Sequence, residues 1–355
     1  MAILRIIVGL IFMIAGFVKA VDPVGFSFKL EEYFGATVFN MPFLEPFSLP
    51  LAIFVSGLEV ILGLMLILKI KLKPVLLSLI SLCVFFAFLT FYSAYYNVVT
   101  DCGCFGDAVR FTPWQSFTKD ILLLLLLVVL WFFYRNKENL TPNFKLKYGI
   151  LAASVLALAL VVYHGIMHEP IIDFRDYKVG TDLRTERKNI AANPSEYKTF
   201  YVLKNKTTGE EKKVNQDDYL TDKSLWAEES PWQIQSGKTT SEIVKEGYRS
   251  EISKFKITDI QGNDLTDGIL NAAEATLVFS YKPNTVSPKT VAEIEEKVRT
   301  KKGIVVGVST TGTAFKTIKN ATMDGTAIKT IARSNPFVLT LRYGKIADKR
   351  SAADY

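Results

Sequence analysis

"PVLLSLISLCVFFAFLTFYSAYYNVVTDCGCFGDAV", residues 74–109, decides the architecture. Residues 74–96 carry no charge, and roughly 20 residues of that kind in a helix cross a hydrocarbon core of about 30 Å. Two aspartates and two cysteines one residue apart follow, and the chain turns apolar again at about 117–134. The stretch reads as one span, a short polar hairpin bearing Cys102 and Cys104, and a returning span. The cysteine pair is open to three uses: redox couple, metal clip or structural staple.

The same pattern repeats outward. Apolar runs of spanning length or close to it occupy about 2–20, 51–68, 74–96, 117–134 and 148–166, so the first 170 residues form a membrane half. Of 77 charged residues in the 355-residue chain, 55 lie in 171–355. The net charge of +7 comes from lysines interleaved with acids, without a basic aromatic-lined stripe, which argues against nucleic acid as a partner. The first run is read as a retained span rather than a cleaved signal, because Lys19 sits beside the only plausible small-residue cleavage position.

Loop charge sets the expected orientation. "KIKLK" (69–73) and "RNKENLTPNFKLK" (135–147), together with Arg5, put eight cations on one side. The opposite loops hold Lys29 and Arg110 among Asp22, Glu31, Glu32, Glu45, Asp101 and Asp107. The N-terminus is expected in the cytoplasm, with Cys102, Cys104 and the C-terminal half outside.

Glu59 stands inside the second run, about 12 Å deep at 1.5 Å per residue, where an unpaired carboxylate is costly. It reads either as a proton or quinone-headgroup contact or as a buried hydrogen bond locking two helices. Lys19 is within snorkelling reach, and Tyr92 and Ser93 are near the matching end of the third span. Cys83, about 20 Å below the outer end of that span, is read as a small buried hydrophobe. His164 and His168, four apart where the fifth span leaves the membrane, are weak candidates for a metal with the cysteine pair. In loop 21–50, Phe26, Leu30, Tyr33 and Phe34 outline a short interfacial helix capping the bundle near the hairpin.

"LRIIVGLIFMIAGFVKAVDPVGFSFKLEEYF" (4–34), the intramembrane Glu59 and "DCGCFGD" (101–107) resemble DoxX-type membrane proteins, above all their MauE-like branch, over about residues 1–170. The resemblance implies a bacterial inner-membrane protein with its outer half in the periplasm, where disulfides persist. It also implies thiol- or quinone-linked redox chemistry. Some of that group resemble the quinone-reducing vitamin K epoxide reductases, but this chain lacks their membrane-embedded CxxC.

The outer half begins with an extended connector, "EPIIDFRDYKVGTDL" (169–183). A hairpin follows over 197–219, turning at Thr207-Thr208-Gly209 with a charged return strand. Trp226 and Trp232 are expected to anchor this segment to a neighbour or to the lipid interface. Beyond about 253, "ATLVFSY" and "GIVVGVST" read as buried strands around a helix at 289–301, then a further helix, Asn335-Pro336 and a last hairpin. That order resembles a thioredoxin-like domain, with "DFRDYKVGT", "EGYRSEISKFKIT" and "RSNP" in keeping, and implies that Pro336 is its cis-proline. The CxxC expected after "ATLVFSY" is replaced by "KPNTVSPKT", and no cysteine follows Cys104, so this domain has no thiolate for exchange.

The expected layout is a bundle of about five transmembrane helices (1–169), a connector with a hairpin (170–250) and a cysteine-free α/β thioredoxin-like domain (251–355). Two functions fit it. One is an accessory or scaffold protein of the cell envelope that holds a periplasmic partner in the groove beside Asn335 and Pro336. The other is a thiol–disulfide oxidoreductase using Cys102 and Cys104, coupled through Glu59 to a quinone or a proton. A Cys-x-Cys disulfide closes a small strained ring, which makes it labile and oxidising.

Overall fold

The computed structural model describes residues 1–36, 38–99, 103, 105–109, 111–136, 143–245 and 247–355. Six helices build the first half: α1 (Ala2–Val21), α2 (Pro23–Phe34), α3 (Ser48–Leu68), α4 (Leu72–Tyr96), α5 (Pro113–Tyr134) and α6 (Phe144–Met167). All but α2 are long and apolar enough to cross a membrane, the second of these spans counting the 3-10 turn Pro42–Phe47 with α3. The starts and stops are local. Thr112 forms a capping box with Gln115 and Pro113 takes the first turn of α5, while Lys69 and Lys71, both at positive φ, turn α3 sharply into α4.

α1 and α3 cross closely because small residues line the seam. A Cβ on Gly16 would lie 2.7 Å from the Ser56 carbonyl oxygen, so only glycine permits that approach. At the other end of the seam the buried Arg5 donates to the Leu66 and Ile67 carbonyls, satisfying groups that the end of α3 leaves open. Leu76 and Leu79 of α4 pack against Leu123, Leu127 and Leu130 of α5. α6 lies outermost, burying only Leu158, Val162 and Gly165. α2 is the short helix expected in loop 21–50: Asp22 caps it, Phe26 and Tyr33 are buried, and Leu30 and Phe34 are half-buried.

The C-terminal half, the outer half of the expected layout, is mainly β-sheet. After the connector comes α7 (Leu183–Ala192), then β1 (Glu196–Asn205), β2 (Glu211–Asn215), α8 (Gln216–Thr221), β3 (Trp232–Ile234) and β4 (Thr240–Lys245). β1 is the centre of this first sheet and pairs antiparallel with the other three strands. The charged return strand is shorter than the sequence suggests. Asn215 accepts from the Asp218 amide and starts α8, which takes Gln216–Thr221 out of the ladder. Trp232 sits within β3 under the Lys212 ammonium, 5.0 Å from its ring centre, while Trp226 is about half exposed.

Next come β5 (Thr258–Asp259), α9 (Thr266–Asn271), β6 (Ala275–Ser280), α10 (Pro288–Arg299), β7 (Ile304–Ser309), β8 (Lys319–Thr322), α11 (Gly325–Ile331), β9 (Phe337–Arg342) and β10 (Lys345–Ser351). They form a six-stranded mixed sheet in the order β10-β9-β6-β7-β8-β5. β6, buried at every position, runs parallel to β7 and antiparallel to β9. The polar, four-residue β8 and the two-residue β5 extend the edge beyond what the sequence pattern showed.

Candidate functional site

Two charged clusters flank the loop between α4 and α5, one inside the bundle and one where the outer half meets it. Cys102 and Cys104 themselves lie outside the described residues. Around them, Gly103 at φ +62 lies against Lys29 of α2, where a Cβ would come within 3.1 Å of its side chain. Phe105 turns inward under the Lys119 ammonium, 5.8 Å from the ring centre.

Phe105 lines a chamber of about 20 Å³ together with Phe12, Lys19, Glu59, Cys83 and Asp120. Lys19, one turn from the end of α1, donates to Glu59 Oε1 at 2.7 Å, and both side chains are about 2% exposed. Its ammonium also stands 5.2 Å and 4.9 Å from the rings of Phe26 and Phe86. Glu59 Oε2 is 2.6 Å from the same ammonium but accepts no hydrogen bond. Across α5, the buried Asp120 is paired with Lys119 and accepts from Thr90 Oγ1 at 3.2 Å.

Reach from Lys19 to Glu59 is therefore realised, but Tyr92 and Ser93 do not join them. Ser93 bonds the Tyr33 hydroxyl at 2.9 Å, and Tyr92 packs on Phe39 and Tyr96. Thr90, closer to the chamber along α4, takes the polar role instead. Cys83 is buried as expected, yet it is more than a filler, since its Sγ donates to the Asp120 carbonyl oxygen at 3.2 Å. Asp120 escaped the sequence reading because "TKDILLLLLL" reads as a helix end followed by a span.

The second cluster joins the halves. Arg333, just after α11 and 7% exposed, donates Nε to Asp22 Oδ2 at 2.7 Å and Nη2 to Asp107. The socket depends on Gly25: a Cβ there would stand 2.6 Å from Arg333 Nε. Lys329, one turn earlier, donates to Glu31 at 3.0 Å and lies 4.4 Å from the Phe28 ring centre. Phe28 meets Tyr281 edge-on at 5.6 Å. Thus one face of α2 receives the outer half, while Phe26 and Tyr33 hold its other face in the bundle.

Glu169, just past α6, accepts from the backbone amides of Arg333 and Ser334 and from Arg175 Nη2 at 2.8 Å. Burial pushes its carboxyl up, but Arg175, Lys349 and the Ser334 hydroxyl outweigh that and lower it to about 2. Asp173 behaves alike: burial opposes, and Arg175 and Lys349 lower it to about 2. Lys349, buried beneath them, is lowered to about 8 by burial and the neighbouring Arg175, against the pull of both carboxylates. Tyr281 is raised to about 12 by burial and by Glu31.

The Asn335-Pro336 peptide is cis. Pro336 is buried, and the Asn335 side chain accepts from Ser280 Oγ at 2.8 Å and donates to the Lys282 carbonyl at 3.0 Å. His164 and His168 stack at 4.9 Å, and His168 Nδ1 is 2.7 Å from Asp354. Among the described residues no three His, Cys, Asp or Glu side chains are grouped to hold a metal ion.

Fold and sites together define a polytopic helical membrane protein carrying a sheet-rich extramembrane half. Residues 1–133, which take in α1 to α5 almost to its end, match the family described as Methylamine utilisation protein MauE. Comparison with curated proteins gives no match, and neither does comparison with solved structures.

Proposed function

We propose that the protein is an accessory protein of the bacterial inner membrane, with its N-terminus in the cytoplasm and residues 170–355 in the periplasm. The loop-charge bias supports that orientation. On this reading residues 251–355 are a thioredoxin-like domain without its thiols; the run β6, α10, β7, α11, cis-Pro336 and the β9–β10 hairpin is in keeping with it. The domain holds an extended segment of a periplasmic partner protein beside Asn335 and Pro336. The observation that carries the proposal is the Arg333 socket, which ties the chain three residues before Pro336 to Asp22 and Asp107 of the bundle and so supports a partner surface shared by the two halves.

A second reading is favoured by one specific contact. Asp107, three residues after Cys104, is held by Arg333, three residues before Pro336. On this reading a partner segment lying beside Pro336 passes close to Asp107, in the loop whose sequence carries Cys102 and Cys104, and exchanges disulfides with that pair. Electrons would pass onward to a quinone, the acceptor implied by the resemblance.

Co-purification from native membranes with wild-type and Arg333→Ala protein tests the first reading. A partner retained by the wild type and lost with the variant is expected; equal recovery by both overturns it. Acid-quench thiol trapping tests the second: a Cys102–Cys104 pair that never changes state when the partner is removed excludes exchange.

A further inference from the structure

The chamber beside Phe105 is built around Glu59, which the sequence offers as a proton or quinone contact and to which neither reading above gives a step. Glu59 is 2% exposed and lines the cavity; its Oε2 lies 2.6 Å from the Lys19 ammonium but accepts no hydrogen bond of good geometry. A space of about 20 Å³ admits one water and is far too small for a quinone ring. A water there meets polar groups on several sides, which is what an ordered internal water requires.

We propose that Glu59 and Asp120, each beside a lysine, form a hydrated proton-exchange site in the membrane half. The groups that share the chamber with Glu59 come from the elements around it: Lys19 from α1, Cys83 from α4, Lys119 and Asp120 from α5, and Phe105 from the loop, with Thr90 of α4 behind Asp120. With both pairs ionised the cluster is neutral, two ammonium groups against two carboxylates. A proton enters as hydronium and passes to Glu59 Oε2, leaving water and a carboxylic acid; no electron moves and no other bond breaks. The added positive charge is accommodated by Lys119, whose side chain is 24% exposed and can turn its ammonium outward, whereas Lys19 at 2% cannot. Phe105 lines the chamber from the loop between α4 and α5 and, on this proposal, limits the rate of exchange. Asp120 is the second carboxylate of the site, held in place by Thr90.

Infrared difference spectra of the full-length protein in lipid vesicles, stepped from about pH 8 to about pH 5, test this directly. Expected is a protonated-carboxyl band that shifts in D2O and is absent from Glu59→Gln. Asp120→Asn is expected to move that band without abolishing it, and Phe105→Ala to speed its deuterium exchange several-fold. If Glu59→Gln does not fold, the Asp120→Asn and Phe105→Ala spectra decide. A band that persists in Glu59→Gln, ignores D2O, or is indifferent to both other variants overturns the proposal, as does the absence of any such band.

Discussion

Replacing Arg333 with alanine should release the outer half from the bundle. Its guanidinium joins Asp22, Asp107 and the Lys329 carbonyl from a site that is 7% exposed. Breaking a fully buried ion pair costs about 3–5 kcal/mol, because a charge is left desolvated. Here the stranded carboxylates of Asp22 and Asp107 are 16% and 25% exposed, so water recovers part of the loss. We expect about 2–3 kcal/mol, a fall of roughly 30–150-fold in the docking equilibrium. Amide hydrogen exchange in detergent or nanodiscs measures it. The amides of Gly25, bonded to Asp22 Oδ1 at 2.8 Å, and of Gly106, bonded to the Gly103 carbonyl at 3.0 Å, report the socket. Their exchange should rise towards that factor while β6 is unaffected. Arg333→Lys should fall in between, since an ammonium does not span two carboxylates as a fork does. Rates at Gly25 and Gly106 unchanged within about twofold would refute the argument.

Further outcomes follow from the same contacts. Gly25→Ala should loosen the same joint, because its Cβ meets both Asp22 and Arg333; the same exchange measurement checks it. Lys19→Met or Glu59→Leu alone should destabilise the bundle by about 3–5 kcal/mol, whereas the double variant should lie near wild type, as unfolding in detergent will show. Glu169 and Asp173 titrate lower in the folded protein than in the unfolded chain, so their contribution is complete above the unfolded carboxylate range near ~4 and disappears as pH falls towards about 2. Thermal melts across that window should show a falling Tm, with a shallower acid limb in Glu169→Gln. Lys349 titrates at about 8 when folded against the ordinary ~10.4, so the folded state sheds its proton first and this group's contribution rises with pH between those values. Lys349→Met should flatten that alkaline rise.

The membrane half was legible because spanning a bilayer imposes one strong pattern, and each apolar run became a helix within a few residues of its expected ends. The Lys19–Glu59 pair was legible for the same reason, since a carboxylate at that depth needs a partner. Asp120 was not, because a charge near the start of a long leucine run looks like ordinary interfacial flanking. In the outer half, the buried strands β6 and β7 showed as continuous apolar runs, but α7, "LRTERKNIAA", has only Leu183 fully buried and gives a weak periodic signal. β8 and β5 are too short and polar to stand out alone and exist by pairing at the sheet edge. The Arg333 socket had no sequence signal at all. It joins residues about 311 and 226 positions apart, and nothing local to "RSNP" marks Asp22 and Asp107 as its partners.

The central claim is that the C-terminal half sits on α2, with Arg333 held by Asp22 and by Asp107 of the loop between α4 and α5. A photo-crosslinking amino acid placed at Phe28 in native membranes, followed by mass spectrometry of the products, tests it most directly. Phe28 meets Tyr281 at 5.6 Å and the Lys329 ammonium at 4.4 Å, so the predicted product is an intramolecular link to one of those two segments. A link from position 28 only to lipid or to another protein would contradict it.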